Sequence, residues 1–436
     1  GGTAASPLLT RQQSQDLARA LASTPTPAGG EGPSLPAGME QEAVPVRREK
    51  LPSPVEKEKS VSLWSIIKEA VGKDLTRICL PVYFNEPLSA LQKACEDMEY
   101  SELLDAAAMC PPGSEERLLY VSAFAVSSYS STEGRTQKPF NPLLGESYEA
   151  IYPEKGYRFV SEKVSHHPTI VAAHAEGRGW TFGGETDLRT KFWGRYIEIN
   201  PVGLLRVTFH DGGEGGEGER YTWTKVSTSI NNLIIGKLYV DHYGTMKVKN
   251  MNTGDACKMK FKEQGFMDKN PHQVKGGIEK KGGGKGRQIW GKWDDALYAE
   301  SDDGKGTVCL WSRNPPAEDP VAQRYNLSSF AITLNELTEG LESKLPRTDA
   351  RLRPDQRLLE EGRFTEAFQE KQRLEHKQRA ARKLQESGDT PDPSWFVKAP
   401  PIAGSGHAEE VYEFKGSYWA CRQKGDWEGV RDIFGR

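Results

Sequence analysis

No apolar run in this chain approaches the ~18 residues needed to cross a bilayer as a helix, and the N-terminus has no basic-then-apolar leader. Any meeting with a membrane is therefore expected to be peripheral and reversible. Cysteine is sparse: Cys79, Cys95, Cys110, Cys257, Cys309 and Cys421 stand apart with no C-x-x-C pair. That removes a zinc ribbon and a disulfide framework and fits a reducing, cytoplasmic setting. An excess of positive charge is also missing. With a formal net charge of −3, nucleic-acid binding is not expected, and any anion recognition must come from a local cluster. Catalytic signatures are lacking as well, with no H-E-x-x-H, no H-x-x-x-H and no G-x-S-x-G, so neither a metal nor an enzymatic activity is expected. Of two glycine-rich loops, Gly212 to Gly218 is acidic, the wrong charge for phosphate, and Gly282 to Gly286 fails the nucleotide-loop spacing. No cofactor is implied.

What is present is a chain of 436 residues with 44 glycines and 27 prolines, which allows one large domain with tails. Residues 1–59 are dense in Pro, Gly, Ala, Ser and Glu and read as a disordered lead-in. The first residue is not Met, which leaves room for a larger parent protein extending upstream. From Val61, Leu63, Trp64, Ile66, Ile67, Ala70 and Val71 fall at helical spacing, giving a short amphipathic helix that needs a surface to lie on. Residues 88–108 and 118–129 read as helix.

Between 145 and 312 the apolar period changes to two. Alternating segments separated by glycine-bearing turns, starting with Tyr148, Ala150 and Tyr152 and the turn Glu154-Lys155-Gly156, predict a dozen or so strands. So many short strands are most economically closed into a large antiparallel barrel or near-barrel with room for a ligand inside. Residues 320–388 return to helix, with Pro354 in a first turn and a break at Gly362, and the tail 389–436 carries a linker around Trp395-Phe396 and aromatics that should pack back.

At the centre stands Glu162-Lys163-Val164-Ser165-His166-His167-Pro168. Adjacent strand residues face opposite ways, but Pro168 removes a ladder donor and forces a strand end or bulge where both imidazoles can face one opening. Such a pair suits a metal, a general base, an anion, or simply a rim of satisfied histidines. Lys138-Pro139-Phe140-Asn141-Pro142-Leu143-Leu144-Gly145-Glu146 adds a rigid turn presenting a cation and an amide, the kind of loop that holds phosphate oxygens at little ordering cost. Lys371, Glu375 and Arg379 stand at i, i+4 and i+8 on one helix face.

These three motifs, in this order, resemble the oxysterol-binding-protein-related family of lipid transfer proteins, over about 60–434. Leu63-Trp64-Ser65-Ile66-Ile67 and Leu80-Pro81-Val82-Tyr83-Phe84-Asn85-Glu86-Pro87 resemble the family's lid and hinge in a plant or green-algal form. The resemblance implies a mainly β, α+β domain over 60–436. Its parts are a lid at 61–80, a helical segment at 88–129, a near-closed barrel around a lipid tunnel at 145–312 and flanking C-terminal helices at 320–388.

It further implies that Lys138, Asn141, His166, His167, Lys371, Glu375 and Arg379 surround the headgroup of phosphatidylinositol 4-phosphate, with Trp64, Leu75 and Thr76 in the lid. The implied function is non-enzymatic exchange of that lipid for sterol, or alternatively phosphatidylserine, by a peripheral, monomeric protein at membrane contacts. The rival is a lipid-dependent sensor or scaffold. Thr169 replaces the signature's common second proline, and sterol rests on the resemblance alone. Without a pleckstrin-homology domain or ankyrin repeats, the chain reads as a short form or the C-terminal part of a longer member.

Overall fold

A computed structural model describes residues 34–54, 56, 68, 80–211, 218–234, 236–265, 268–385 and 392–435. Among the described residues, fourteen strands between Ser147 and Ser312 form one antiparallel sheet. The first hairpin pairs Ser147–Tyr152 with Tyr157–Ser165 through the expected turn, where Gly156 takes φ +73°. Two long strands organise the middle. Trp180–Phe192 pairs along one edge with Ile170–Gly177, and along the other with Leu205–Phe209 and then Ile197–Val202. Tyr239–Asn250 mirrors it, pairing with Ser227–Asn231 near its start, with Glu219–Trp223 near its end, and with Ala256–Phe261 across the other edge. Two short strand pairs thus stand end to end between the long strands. The outermost strands, Ser147–Tyr152 and Thr307–Ser312, do not pair with each other, so the sheet wraps without closing into a barrel.

The partner changes explain where the sequence misleads. Each long strand finds a new neighbour part-way, Trp180–Phe192 at Asp187 and Tyr239–Asn250 at Gly244, and runs on, so what reads as two short segments is one strand. Ser227–Asn231 and Gln273–Glu279 are strands that the pattern did not suggest, the first too polar and the second interrupted by Gly276-Gly277. At Gly276 a Cβ would lie 2.0 Å from the Lys258 carbonyl oxygen, so the close approach of the neighbouring strand requires glycine there.

Helix Glu115–Ser127, started by the Ser114 hydroxyl accepting from the Arg117 N–H, is buried over most of its circumference. It touches Tyr239–Asn250, Ala256–Phe261, Lys285–Lys292 and Thr307–Ser312, and Phe124 meets Phe182 and Trp223 edge-on. A helix reaching strands so far apart lies within the curve of the sheet, and an apolar surface on most sides is what that place requires. The stretch 88–108 is not one helix. It is a strand Asn85–Ser89, a helix Ala90–Cys95 with a Ser89/Gln92 capping box, a 3₁₀ segment Glu96–Tyr100 and a helix Glu102–Met109.

Residues 34–54 were expected within the disordered lead-in but lie against the domain. Met39 and Leu51 are buried, and Arg47 pairs with Glu336 at 2.9 Å and Glu154 at 3.1 Å. Pro354–Glu360 and Phe364–Gln385 form the C-terminal helices, with Pro354 in the first turn and Gly362 between them. Trp395-Phe396, expected in a linker, leads a short strand, Phe396–Ala399, paired with Val411–Phe414. Beside it, Trp395 and Tyr418 pack on Val160, Val164 and Ala172, so the tail returns to the sheet as expected. No helix among the described residues is long and apolar enough to cross a membrane.

Candidate functional site

The three motifs meet through the loop at residues 138–146. It begins as a short parallel pairing of Asn85 with Lys138, and the Asn85 amide donates to the carbonyls of Lys138 and Pro139 at 3.2 and 3.3 Å. Phe140 is buried with Val82, Leu359, Phe364 and Ala367. Leu143 packs on Leu374 and Phe434. Phe364, Ala367, Lys371 and Leu374 recur at helical spacing, so the face of the long helix that carries Lys371 is the one turned toward the loop. Lys371 is itself buried; its ammonium donates to the Leu80 carbonyl and stands 3.2 Å from Glu375. Leu80 closes the segment where the lid was expected. Trp64, Leu75 and Thr76 lie outside the described residues.

On the other side of the loop, Lys163 is fully buried in the histidine strand and donates to Asn141 Oδ1 at 2.9 Å and the Pro142 carbonyl at 2.7 Å. Burial pulls its ammonium down to about 7, against the pull of the Glu146 carboxylate. Its neighbour Glu162 accepts from the backbone N–H groups of Ser394 and Trp395 at 2.7 and 2.9 Å, which ties the C-terminal tail to the same strand; burial pushes this carboxyl up to about 7. Underneath, Arg353 binds Asp355 with both forks at 2.7 and 2.9 Å, Glu146 at 3.1 Å and the Asn141 carbonyl at 2.8 Å, over the Phe140 ring. Glu146 also accepts from the Leu143 N–H at 2.8 Å, and burial raises its carboxyl to about 7.

The strand ends at Ser165, and the His167-Pro168 bond is cis. The two imidazoles lie close together, with centroids 4.4 Å apart and planes tilted by 51°. His166 is half-buried and its Nδ1 meets the Gln378 amide at 3.0 Å, joining the strand end to the long helix; His167 is exposed. A cleft of about 340 Å³ lies beside His166, between Lys163, Gln378, the loop at Leu143 and the tail at Ile433.

Six of the expected residues therefore belong to one linked assembly: Lys138 and Asn141 on the loop, His166 and His167 at the strand end, Lys371 and Glu375 on the helix. Arg379 follows one turn on and is exposed. The assembly offers two ammonium groups, two imidazoles and an amide near an open surface, with the Arg379 guanidinium a turn on, a set of donors that suits an anion with several oxygens. Among the described residues, no group of three His, Cys, Asp or Glu could hold a metal. Sequence reasoning passed over Lys163 and Arg353, which fix the loop, and Gln378, which ties His166 to the long helix.

A family model described as oxysterol-binding protein matches residues 62–423. Oxysterol-binding protein-related protein 1C of Arabidopsis thaliana is 54% identical over 86% of this chain, and the chain spans 46% of that protein's length. Among solved structures, the Osh1 ORD domain in complex with cholesterol superposes with a TM-score of 0.80 at 40% identity, covering 89% of this chain and 94% of that one. The Osh3 ORD of Saccharomyces cerevisiae in complex with PI(4)P gives 0.76 at 33% identity, covering 90% and 100%.

Proposed function

The chain belongs to the oxysterol-binding protein family, and from that premise we propose that it is a non-enzymatic lipid exchanger. It binds phosphatidylinositol 4-phosphate by its headgroup and carries it between membranes in exchange for a second lipid, sterol or phosphatidylserine. Relatives of similar fold were solved with cholesterol and with PI(4)P, which supports one domain taking either class of ligand in turn. The observation that carries the reading is the loop at 138–146 wedged between the histidine strand and the long helix, held by Lys163 on one side and Phe140 on the other.

In this reading Lys138, Asn141, His166, His167, Lys371 and Arg379 bind phosphate and inositol oxygens. Glu375, 3.2 Å from Lys371, orients that ammonium and accepts an inositol hydroxyl. Trp64, Leu75 and Thr76 belong to a lid over the headgroup. Each acyl methylene left in water costs about 0.8 kcal/mol, so transit requires an enclosed apolar passage inside the sheet. The test is transfer of fluorescent phosphatidylinositol 4-phosphate and sterol between donor and acceptor vesicles. Acceleration of both, each inhibiting the other, is expected; stoichiometric binding without faster transfer means a sensor instead.

A further inference from the structure

Resting on that lipid reading, we propose that two hairpin tips overhanging the histidine end of the sheet form a docking face for an anionic bilayer. The strand registers put them there. Ser165 lies opposite Ile170, Ile170 opposite Asp187, and Asp187 opposite Val202, a row across the sheet at the level where the histidines leave it. From Asp187 the strand continues to Phe192, about 17 Å further at ~3.3 Å per residue, before turning back at Ile197. Ile197 lies opposite Ile230, and Asn231 opposite Tyr239, so the hairpin that carries Ile234 and Lys237 stands beside the first tip.

The side chains at these tips are the ones a bilayer interface takes. Trp193 is 45% exposed and Ile234 46% exposed. Trp193 is held in place: its backbone N–H donates to the Tyr196 carbonyl at 2.9 Å, its indole N–H donates to Glu198 at 2.8 Å, and its ring lies within 24° of parallel to Tyr196. Gly194, at φ +86°, makes the turn. The Lys191 ammonium sits 3.7 Å from the ring centroid. In the second tip buried Leu233 anchors the hairpin while Asn232, at φ +62°, donates to the Lys237 carbonyl at 3.0 Å.

Charge selects the partner. From Leu188 to Ile197 the sequence has Arg189, Lys191 and Arg195; the carboxylate that follows, Glu198, accepts from the Trp193 indole and the Tyr243 hydroxyl, and from Asn232 to Leu238 there is Lys237 and no carboxylate. Arg189 is engaged by Glu409 at 2.9 Å, which leaves Lys191, Arg195 and Lys237, all exposed. An aromatic ring with a polar edge belongs at headgroup depth, and three cations around it are drawn by a negative lipid surface. The overhang brings that surface to the end of the sheet where the headgroup residues stand.

The experiment is flotation of the protein with phosphatidylcholine vesicles, with and without phosphatidylserine and without phosphoinositide. A parallel solution titration uses water-soluble short-chain phosphatidylinositol 4-phosphate. The wild type should bind the phosphatidylserine vesicles and come off at high salt. The triple change Lys191→Gln, Arg195→Gln, Lys237→Gln should weaken this about a hundredfold, and Trp193→Ala several-fold with unchanged salt dependence. Both variants should keep the wild-type affinity for the short-chain lipid. Variants that float like the wild type, or a wild type indifferent to phosphatidylserine, overturn the docking face and leave the exchanger reading standing. A wild type that floats yet ignores the short-chain lipid sinks the exchanger reading instead.

Discussion

The two sides of the loop at residues 138–146 hold charge in opposite ways. Below it, Arg353, Glu146 and Asp355 are buried, and each is matched by a partner within 3.1 Å. Above it, Asn141, His167 and Arg379 are exposed. Burial forces pairing because an uncompensated buried charge is costly, whereas an exposed polar group keeps its water and can exchange it for a ligand. In the proposed reading the lower side is foundation and the upper side is the lipid site. Changes below should act on stability first, and changes above on lipid binding with the fold intact.

The sharpest attack on that division is Arg353→Met. It leaves Glu146 and Asp355 buried without their cation, and breaking such a set typically costs about 3–5 kcal/mol. A large fall in melting temperature is expected in differential scanning calorimetry. A variant that melts like the wild type but fails to bind lipid would move Arg353 from foundation to site and break the comparison.

From above, His166→Ala with His167→Ala removes the two imidazoles that the proposed reading assigns to the phosphate. At about 1.5–3 kcal/mol for each charge-assisted bond, extraction of phosphatidylinositol 4-phosphate from vesicles should drop at least a hundredfold while the melting temperature holds within a few degrees. Undiminished extraction would remove the histidines from the site.

Lys163 sits on the boundary, buried like the foundation but holding Asn141 of the site. Its folded-state pKa, about 7, lies below the ordinary lysine value. Between about pH 7 and 10 the unfolded chain therefore binds more protons at this residue than the folded one, and stability gains from rising pH. Below about pH 7 both states are protonated and the desolvation penalty is present in full. Urea unfolding of the wild type and of Lys163→Met across this range should differ in slope by up to about 1.4 kcal/mol per pH unit, the wild type rising more steeply. Equal slopes would mean that the ammonium is not perturbed. Lipid affinity in the variant should fall several-fold, because Asn141 loses its tether.

What could be read from the sequence divides along a similar line. His166-His167-Pro168 and the spacing of Lys371, Glu375 and Arg379 are local patterns, set by a strand end and by one helix face, and both are legible without the fold. The foundation is not. Arg353 meets Glu146 across 207 positions of sequence, and no local period announces the pairing. The same holds for the sheet: hairpins with a glycine turn are visible, but a strand that changes partner at Gly244 looks like two. Helix Glu115–Ser127 is legible as a helix, while its place inside the curve depends on strands that follow it in the chain.

The smallest test concerns the link between the two sequence-legible motifs. Gln378 lies on the long helix within a turn of Glu375 and meets His166 Nδ1 at 3.0 Å, while the neighbouring His167 is exposed. If the amide orients the imidazole, Gln378→Ala removes one neutral hydrogen bond, worth about 0.5–1.5 kcal/mol, and lipid extraction should weaken about 2- to 12-fold. Gln378→Glu separates orientation from charge: the carboxylate can still hold the ring by accepting from a protonated imidazole, but it adds an anion beside the headgroup. It should therefore weaken phosphatidylinositol 4-phosphate binding more than alanine does, and the excess should shrink as salt rises. If glutamate and alanine prove equal at every ionic strength, the helix and the histidine strand are joined by packing through the loop alone.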